Sequence, residues 1–254
     1  MKLKKFLIVL ILLNGKSLLH GQVVAKYHSV VLGVESLRVK DESVLPVSVT
    51  GTGTSVSYSY RKQSATRNSV FSAAWTKALF SSGDSRLELN KFSIMLSDGF
   101  LINRRKAGFF KAWLGYSIDA NPSFIKLQNK QLEKYSWNSA NSLNLYQAYT
   151  YKYNKGIFSF SIHVPVIGFS SRPGKNTKYP TDINGLLYNS YSNLSLTSLH
   201  NYKAINLDLN YEHRINAKWN FKAGVNYRYS DLETTLPVQL QSAGIQAGLL
   251  LKID

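Results

Sequence analysis

From Trp219 to Tyr229 every second residue is apolar or aromatic (Trp219, Phe221, Ala223, Val225, Tyr227, Tyr229), and Asn220, Lys222, Gly224, Asn226 and Arg228 lie between them. A two-residue period belongs to a β-strand, whose successive side chains point to opposite faces. The pattern recurs along the chain between clusters of Gly, Asn, Asp and Ser, and no helical stripe is sustained beyond a couple of turns. It predicts ten strands, near 28–38, 52–61, 69–80, 87–98, 106–118, 140–153, 156–169, 203–214, 218–230 and 241–253. In the fifth, Phe110, Ala112, Leu114, Tyr116 and Ile118 share a face; in the seventh, Phe158, Phe160, Ile162 and Val164 oppose Ser159, Ser161 and His163. The fourth changes phase, with Leu87 and Leu89 on one parity and Phe92, Ile94 and Leu96 on the other, which predicts a β-bulge near Asn90 and Lys91. Lys77 falls on the apolar face of the third.

Most of these runs are about 9–14 residues long, whereas a strand in a soluble sheet is usually about 5–6 and a tilted strand crossing a bilayer about 9–11. The connections agree. Counted from the N-terminus, the even ones are short (62–68, 99–105, 154–155, 215–217), and the odd ones include two long segments, 119–139 and 170–202. Short turns at one end and long loops at the other are the habit of outer-membrane barrels. The expected fold is therefore all-β: a closed antiparallel transmembrane β-barrel of about ten strands, or twelve if 170–202 holds two more.

The N-terminus adds an address. Lys2, Lys4 and Lys5 precede the apolar run from Phe6 to Leu13, and Gly21 follows a short polar stretch. A basic start, a short apolar centre and a small residue at the cut describe a secretory signal peptide over 1–21, leaving 22–254 as one barrel domain. The run is too short to span a bilayer as a helix. The formal charge is +17, and removal of Lys2, Lys4, Lys5 and Lys16 leaves 17 − 4 = +13. Lys and Arg are scattered rather than gathered in a stripe, so nucleic acid is not an expected partner. The absence of cysteine excludes disulfides and thiolate chemistry.

With its signal sequence, alternating aromatic-rich strands, connection parity and a last strand running from Gly244 to Asp254, the chain resembles bacterial outer-membrane β-barrel proteins. The likeness is architectural and names no family with a known activity. It implies a cell-envelope protein of a Gram-negative bacterium. One departure is the C-terminal Lys-Ile-Asp, where many such barrels end on an aromatic residue.

Several residues follow as candidates for particular positions. His163, Asp208, Glu212, Arg214, Lys222 and Arg228 lie on polar faces and are expected toward the lumen, where charges of opposite sign on neighbouring strands can pair. Trp75, Trp113, Trp219, Tyr151, Tyr153, Tyr227 and Tyr229 are expected in the aromatic girdles at the two interfaces. No catalytic signature, metal-ligand spacing or cofactor motif stands out. A structural, binding or narrow, porin-like transport role follows, with outer-membrane lipid, including anionic outer-leaflet lipid, as a partner and 119–139 and 170–202 as the surface for an external ligand. Two other readings fit the same residues: a barrel enzyme acting on lipid or peptide at its rim, and a soluble secreted β-protein that binds an anionic ligand.

Overall fold

The computed structural model describes residues 23–82, 85–102, 109–128, 133–172, 194–234 and 237–253. The proposed signal peptide lies outside them. Eleven strands form one antiparallel sheet: β1 Val23–Asp41, β2 Leu45–Ser64, β3 Arg67–Ser82, β4 Ser85–Leu101, β5 Phe110–Gln128, β6 Glu133–Tyr153, β7 Gly156–Ser171, β8 Ser195–Ser198, β9 Tyr202–Arg214, β10 Trp219–Leu232 and β11 Val238–Ile253. Each long strand pairs with its sequence neighbour, and β1 pairs with β11 from Lys26↔Ile253 to Asp41↔Val238, which closes the sheet. The end carrying both Val23 and Ile253 is called the near end here, and the opposite one the far end.

The ten predicted strands are all present, and most run several residues longer than the alternation indicated. β8 and β9 share one position in the wall. β7 pairs with β9 over Gly156–His163 and with β8 over Ile167–Ser170. The wall therefore has 11 − 1 = 10 positions, one of them a broken strand. The expected long loop 119–139 does not exist as such: β5 continues to Gln128 and β6 begins at Glu133. In the other long segment, Ser170 and Ser171 end β7, β8 supplies four residues, and 173–193 fall outside the described residues.

The expected bulge near Asn90 is also absent, because the β3–β4 register runs unbroken through Lys77↔Asn90 and Thr76↔Lys91. The phase change has another cause. Phe92 and Ile94 face outward, while Leu87 and Leu89 are buried inside the barrel. A register shift of this kind occurs elsewhere in the wall, on β7, where Leu143↔Ile167 is followed by Asn144↔Pro165 and Val166 is left over. Pro165 stands at that irregularity, a place where the missing N–H is tolerated. At the tight near-end turn after β6, Asn154 takes a φ of 51°, a left-handed value that Asn adopts more readily than most residues.

The outer surface is a belt of exposed apolar side chains, including Val30, Leu32, Val56, Ile94, Leu114, Leu145, Phe158, Leu209, Val225 and Ile245. A continuous patch of this size is foreign to a soluble monomer. Polar groups bound the belt. Toward the near end on β3 and β4, Arg67 pairs with Asp98, which also accepts Ser69 Oγ at 2.8 Å. Toward the far end Lys77 meets Glu88 at 3.0 Å. The outward Lys77 on an apolar face thus lies near the far edge of the belt, with Leu79 one outward position beyond it. Ser69 and Lys77 are 77 − 69 = 8 residues apart on β3. At about 3.3 Å per residue and a tilt of about 40°, that is roughly 20 Å of height, close to the ~25 Å apolar band of outer-membrane barrels.

Val225 is 46% exposed within this belt, and its neighbour Asn226 points inward across from Asp208. Val225→Arg is expected to lower the stability of the bilayer-refolded protein by about 2–4 kcal/mol, and Asn226→Arg by clearly less. Denaturant titrations of the two variants in lipid vesicles test the facing, and equal losses would contradict it.

Candidate functional site in the barrel lumen

The inward positions differ sharply along the axis. At the far end they are apolar: Leu37, Val39, Val44, Val49, Ala78, Phe80, Leu87, Leu89, Ile125 and Leu127 form one buried cluster. Ala140, Tyr202, Leu232 and Val238 form a second, and Leu240 packs against both. Val44 belongs to the β1–β2 turn, so that turn folds over the mouth and adds a side chain to the plug. Gly51 makes room for it: a Cβ there would lie 2.6 Å from the Phe80 ring.

A buried ion pair caps the plug. Arg172 donates to Asp41 Oδ1 at 2.7 Å, and Asp41 also accepts Ser43 N at 2.9 Å and Ser136 Oγ at 3.0 Å. The backbone N–H of Glu42 donates to the Pro237 carbonyl at 3.2 Å, tying the turn to the start of β11. The far mouth is thus shut by side chains from several strands and by one turn.

Below the plug the lumen is polar and partly empty. A cavity of about 180 Å³ is lined by small residues on β2 to β4, among them Ser55, Ser57, Ser72 and Ser93, and by His163, Asp208, Glu212, Lys222 and Arg228 opposite. Its lining reaches Tyr27, Asn68, Thr150 and Leu250, within a few residues of the near-end strand termini, but stops at Glu35 on β1, short of the plug.

Five of the six expected lumenal residues line this cavity. Arg214 has the inward parity but sits exposed at the near mouth, where its Nε donates to the Asn216 carbonyl at 3.1 Å. The expected pairing along neighbouring strands takes a different form. Lys222 does stand across from Glu212 on the β10–β9 ladder, but Glu212 accepts both Nη1 and Nη2 of Arg61 on β2, each at 2.8 Å, across the lumen. Arg61 also lies 4.5 Å from the centre of the Tyr27 ring. Arg61 escaped the sequence reading because it closes its run, although it shares parity with Ser55, Ser57 and Ser59.

His163 is 1% exposed and anchors a chain of hydrogen bonds rather than a free base. Its Nδ1 meets Ser117 Oγ at 2.9 Å, and Asn144 Nδ2 donates to the same hydroxyl at 3.2 Å. Ser142 Oγ joins Asn144 to Asp119, at 2.8 Å and 2.6 Å. The Tyr146 ring stacks on the imidazole at 4.8 Å. Ser117 is fully buried and does not line the cavity, so this chain ties β5, β6 and β7 together without presenting a nucleophile.

Of the expected girdle residues, Trp75, Trp219, Tyr151 and Tyr153 are exposed on the outer face, and Tyr227 and Tyr229 share the outward parity of Val225. Trp113 is not among them. It is 0% exposed inside the barrel, packed with Tyr146 and Ala148. Its neighbours Ala112 and Leu114 carry the outward parity on β5, and a bulky aromatic at the inward position fills space there.

A closed, ten-position antiparallel wall with an apolar outer belt, a plugged far end, and Val23 and Ile253 on one side leaves one architecture. The chain has the fold of a bacterial outer-membrane β-barrel. The outer membrane protease OmpT from Escherichia coli superposes with a TM-score of 0.57 at 7% identity, covering 93% of this chain and 99% of that one. The translocator domain of the autotransporter NalP from Neisseria meningitidis and the attachment invasion locus protein Ail of Yersinia pestis match more loosely. Their TM-scores are 0.43 and 0.39, at 9% and 12% identity, with 98% and 89% of this chain covered and 95% and 98% of theirs. No family model and no curated sequence matches the chain.

In this barrel the Arg61–Glu212 pair is the strongest test of the lumenal arrangement. Glu212→Gln leaves the guanidinium without its carboxylate and is expected to destabilise the barrel by about 3 kcal/mol. Glu233→Gln, which breaks the rim pair with Lys203 between side chains more than half exposed, is expected to leave the unfolding midpoint unchanged. Urea titrations in lipid vesicles measure both, and equal midpoints for the two variants would contradict a buried role for Glu212.

Proposed function

We propose that the protein is an outer-membrane barrel that is closed to the exterior and acts by what its far end and outer wall present, not as a diffusion pore. The observation that carries this is the buried apolar plug with the Asp41–Arg172 cap above it. Ten strands enclose a lumen that side chains can fill, unlike a porin of sixteen. Here the filling is uneven, with the far end packed by apolar side chains and the near end polar and partly empty. With the near end toward the periplasm, as the leader-like N-terminus suggests, the cavity faces inward to the cell and the seal faces out.

The recognition surface is then smaller than the sequence indicated. Residues 119–139 lie almost wholly in the wall, which leaves the segment after β7, the β8 strand and the 199–201 turn to meet an external ligand. Arg38 and Lys77 lie near the far edge of the apolar belt, where phosphate-bearing outer-leaflet lipid would sit. The protease activity in the name of one structural neighbour belongs to that protein, and no rim constellation among the described residues argues for it here.

Planar-bilayer recording tests the closed state. The purified protein is expected to show no sustained conductance, whereas Phe80→Ala combined with Leu89→Ser and Ile125→Ser opens a path through the plug and raises it. Steady porin-like conductance of the unaltered protein would overturn the reading. Release of the protein from envelopes by salt alone, without detergent, would overturn its placement in the membrane.

A further inference from the structure

Between the plug and the main cavity lies a second, smaller cavity of about 30 Å³, the neck. A void needs roughly 10–15 Å³ of probe-occupied volume to hold one water. This one takes about two waters or one ion of chloride's size. Leu37, Leu89 and Leu240 wall it on the plug side. The rest of the wall presents Lys91 and Arg228, with Asn121, Asn138, Asn206 and Ser242, and no Asp or Glu lines it.

Both cations are short of partners. Among the described residues neither has a carboxylate within 4.0 Å. Three buried polar atoms on the neck, Arg228 Nε, Asn138 Oδ1 and Ser242 Oγ, have no hydrogen-bond partner. The Asn138 amide can turn its NH₂ into the void, since its orientation is an assignment, and the Ser242 hydroxyl rotates freely to donate. The nearby acids, Glu35, Asp119 and Asp208, lie on the wall of the larger cavity. Asp119 accepts Ser142 N and Oγ at 3.0 Å and 2.6 Å, and Glu35 accepts Thr76 Oγ1 at 3.3 Å. Arg228 stands between the two cavities and lines both.

A buried cation with no carboxylate in contact is costly beside a dry plug, and a neck that offers two such cations and rotatable donors, with no carboxylate on its wall, fits an anion. We propose that the neck is an anion site that takes one small monovalent inorganic anion of the halide class, held by Arg228 and Lys91. The bound ion neutralises the base of the plug and so belongs to the seal. The site depends on the lumen alone, so its failure would leave the closed-barrel reading standing.

The test compares detergent-refolded protein in sodium chloride and in sodium gluconate at equal ionic strength, gluconate being too large for the void. The Tm is expected to rise by about 2–4 °C in chloride and to saturate with its concentration. Arg228→Gln should abolish the difference. Arg38→Gln, on the outer face, should preserve it. Crystals of the unaltered protein grown with bromide provide a readout that needs no variant: one anomalous peak in contact with Arg228 and Lys91. A bromide peak in the neck supports the site. Water only in the neck, or a Tm that does not distinguish the two salts, overturns it.

Discussion

Everything in this molecule follows from the demand that a sheet in hydrocarbon leave no backbone N–H or C=O unpaired. The β1–β11 ladder meets it, joining the first and last strands, from Lys26↔Ile253 to Asp41↔Val238. Once the sheet is closed, every side chain has one of two destinations, because the pleat permits no third. The alternation that looks like ordinary amphipathicity in a linear sequence becomes, in the closed wall, a division between lipid and lumen. The single broken position, β8 with β9, keeps the lower pairing to β7 intact and confines the irregularity to the far end.

The lumen then has to be filled, and this chain fills it in two ways. Toward the far end apolar side chains pack into a dry cluster. Toward the near end serines on β2 to β4 leave space, and the charges opposite are arranged around it. The Arg61–Glu212 pair bridges this polar half from wall to wall with a bidentate geometry that specifies orientation as well as charge. The His163 chain does the same between adjacent strands, turning polar residues that hydrocarbon would penalise into fixed internal struts.

The wall was largely legible from periodicity, since a lipid-facing stripe and a polar lumen give a clean two-residue signal, as in β7 and β10. The signal weakens wherever the lumen is itself apolar. Leu87 and Leu89 share their chemistry with Phe92 and Ile94 but not their destination, so a plug residue mimics a register slip. The same plug hid β5 beyond Ile118: Asp119, Asn121 and Ser123 keep the polar inward phase, but Ile125 and Leu127 point inward as plug residues and Lys126 and Gln128 lie opposite, so the phase reverses within one strand and a wall segment read as a loop. Trp113 followed the general preference of tryptophan for interfaces, although the outward parity of its neighbours on β5 was already set. Contacts across the lumen had no local signal at all. Nothing near Arg61 points to Glu212, because their meeting depends on which strands face each other once the barrel has closed.

The plug also changes the account of stability. Side chains on the outer belt leave one apolar medium only for another, so their burial in lipid contributes little once the chain is in the bilayer. Residues in the lumen leave water, and each fully buried Leu, Ile or Phe there contributes about 1.5–3 kcal/mol. The far-end cluster is therefore the place where this barrel holds a core in the sense of a soluble protein. A porin gives up that contribution to keep its lumen open. Here the same side chains that stabilise the wall block the path through it, so opening the barrel would dismantle its only sizeable dry core among the described residues. Closure of the far mouth is on this view a consequence of how the barrel is held together.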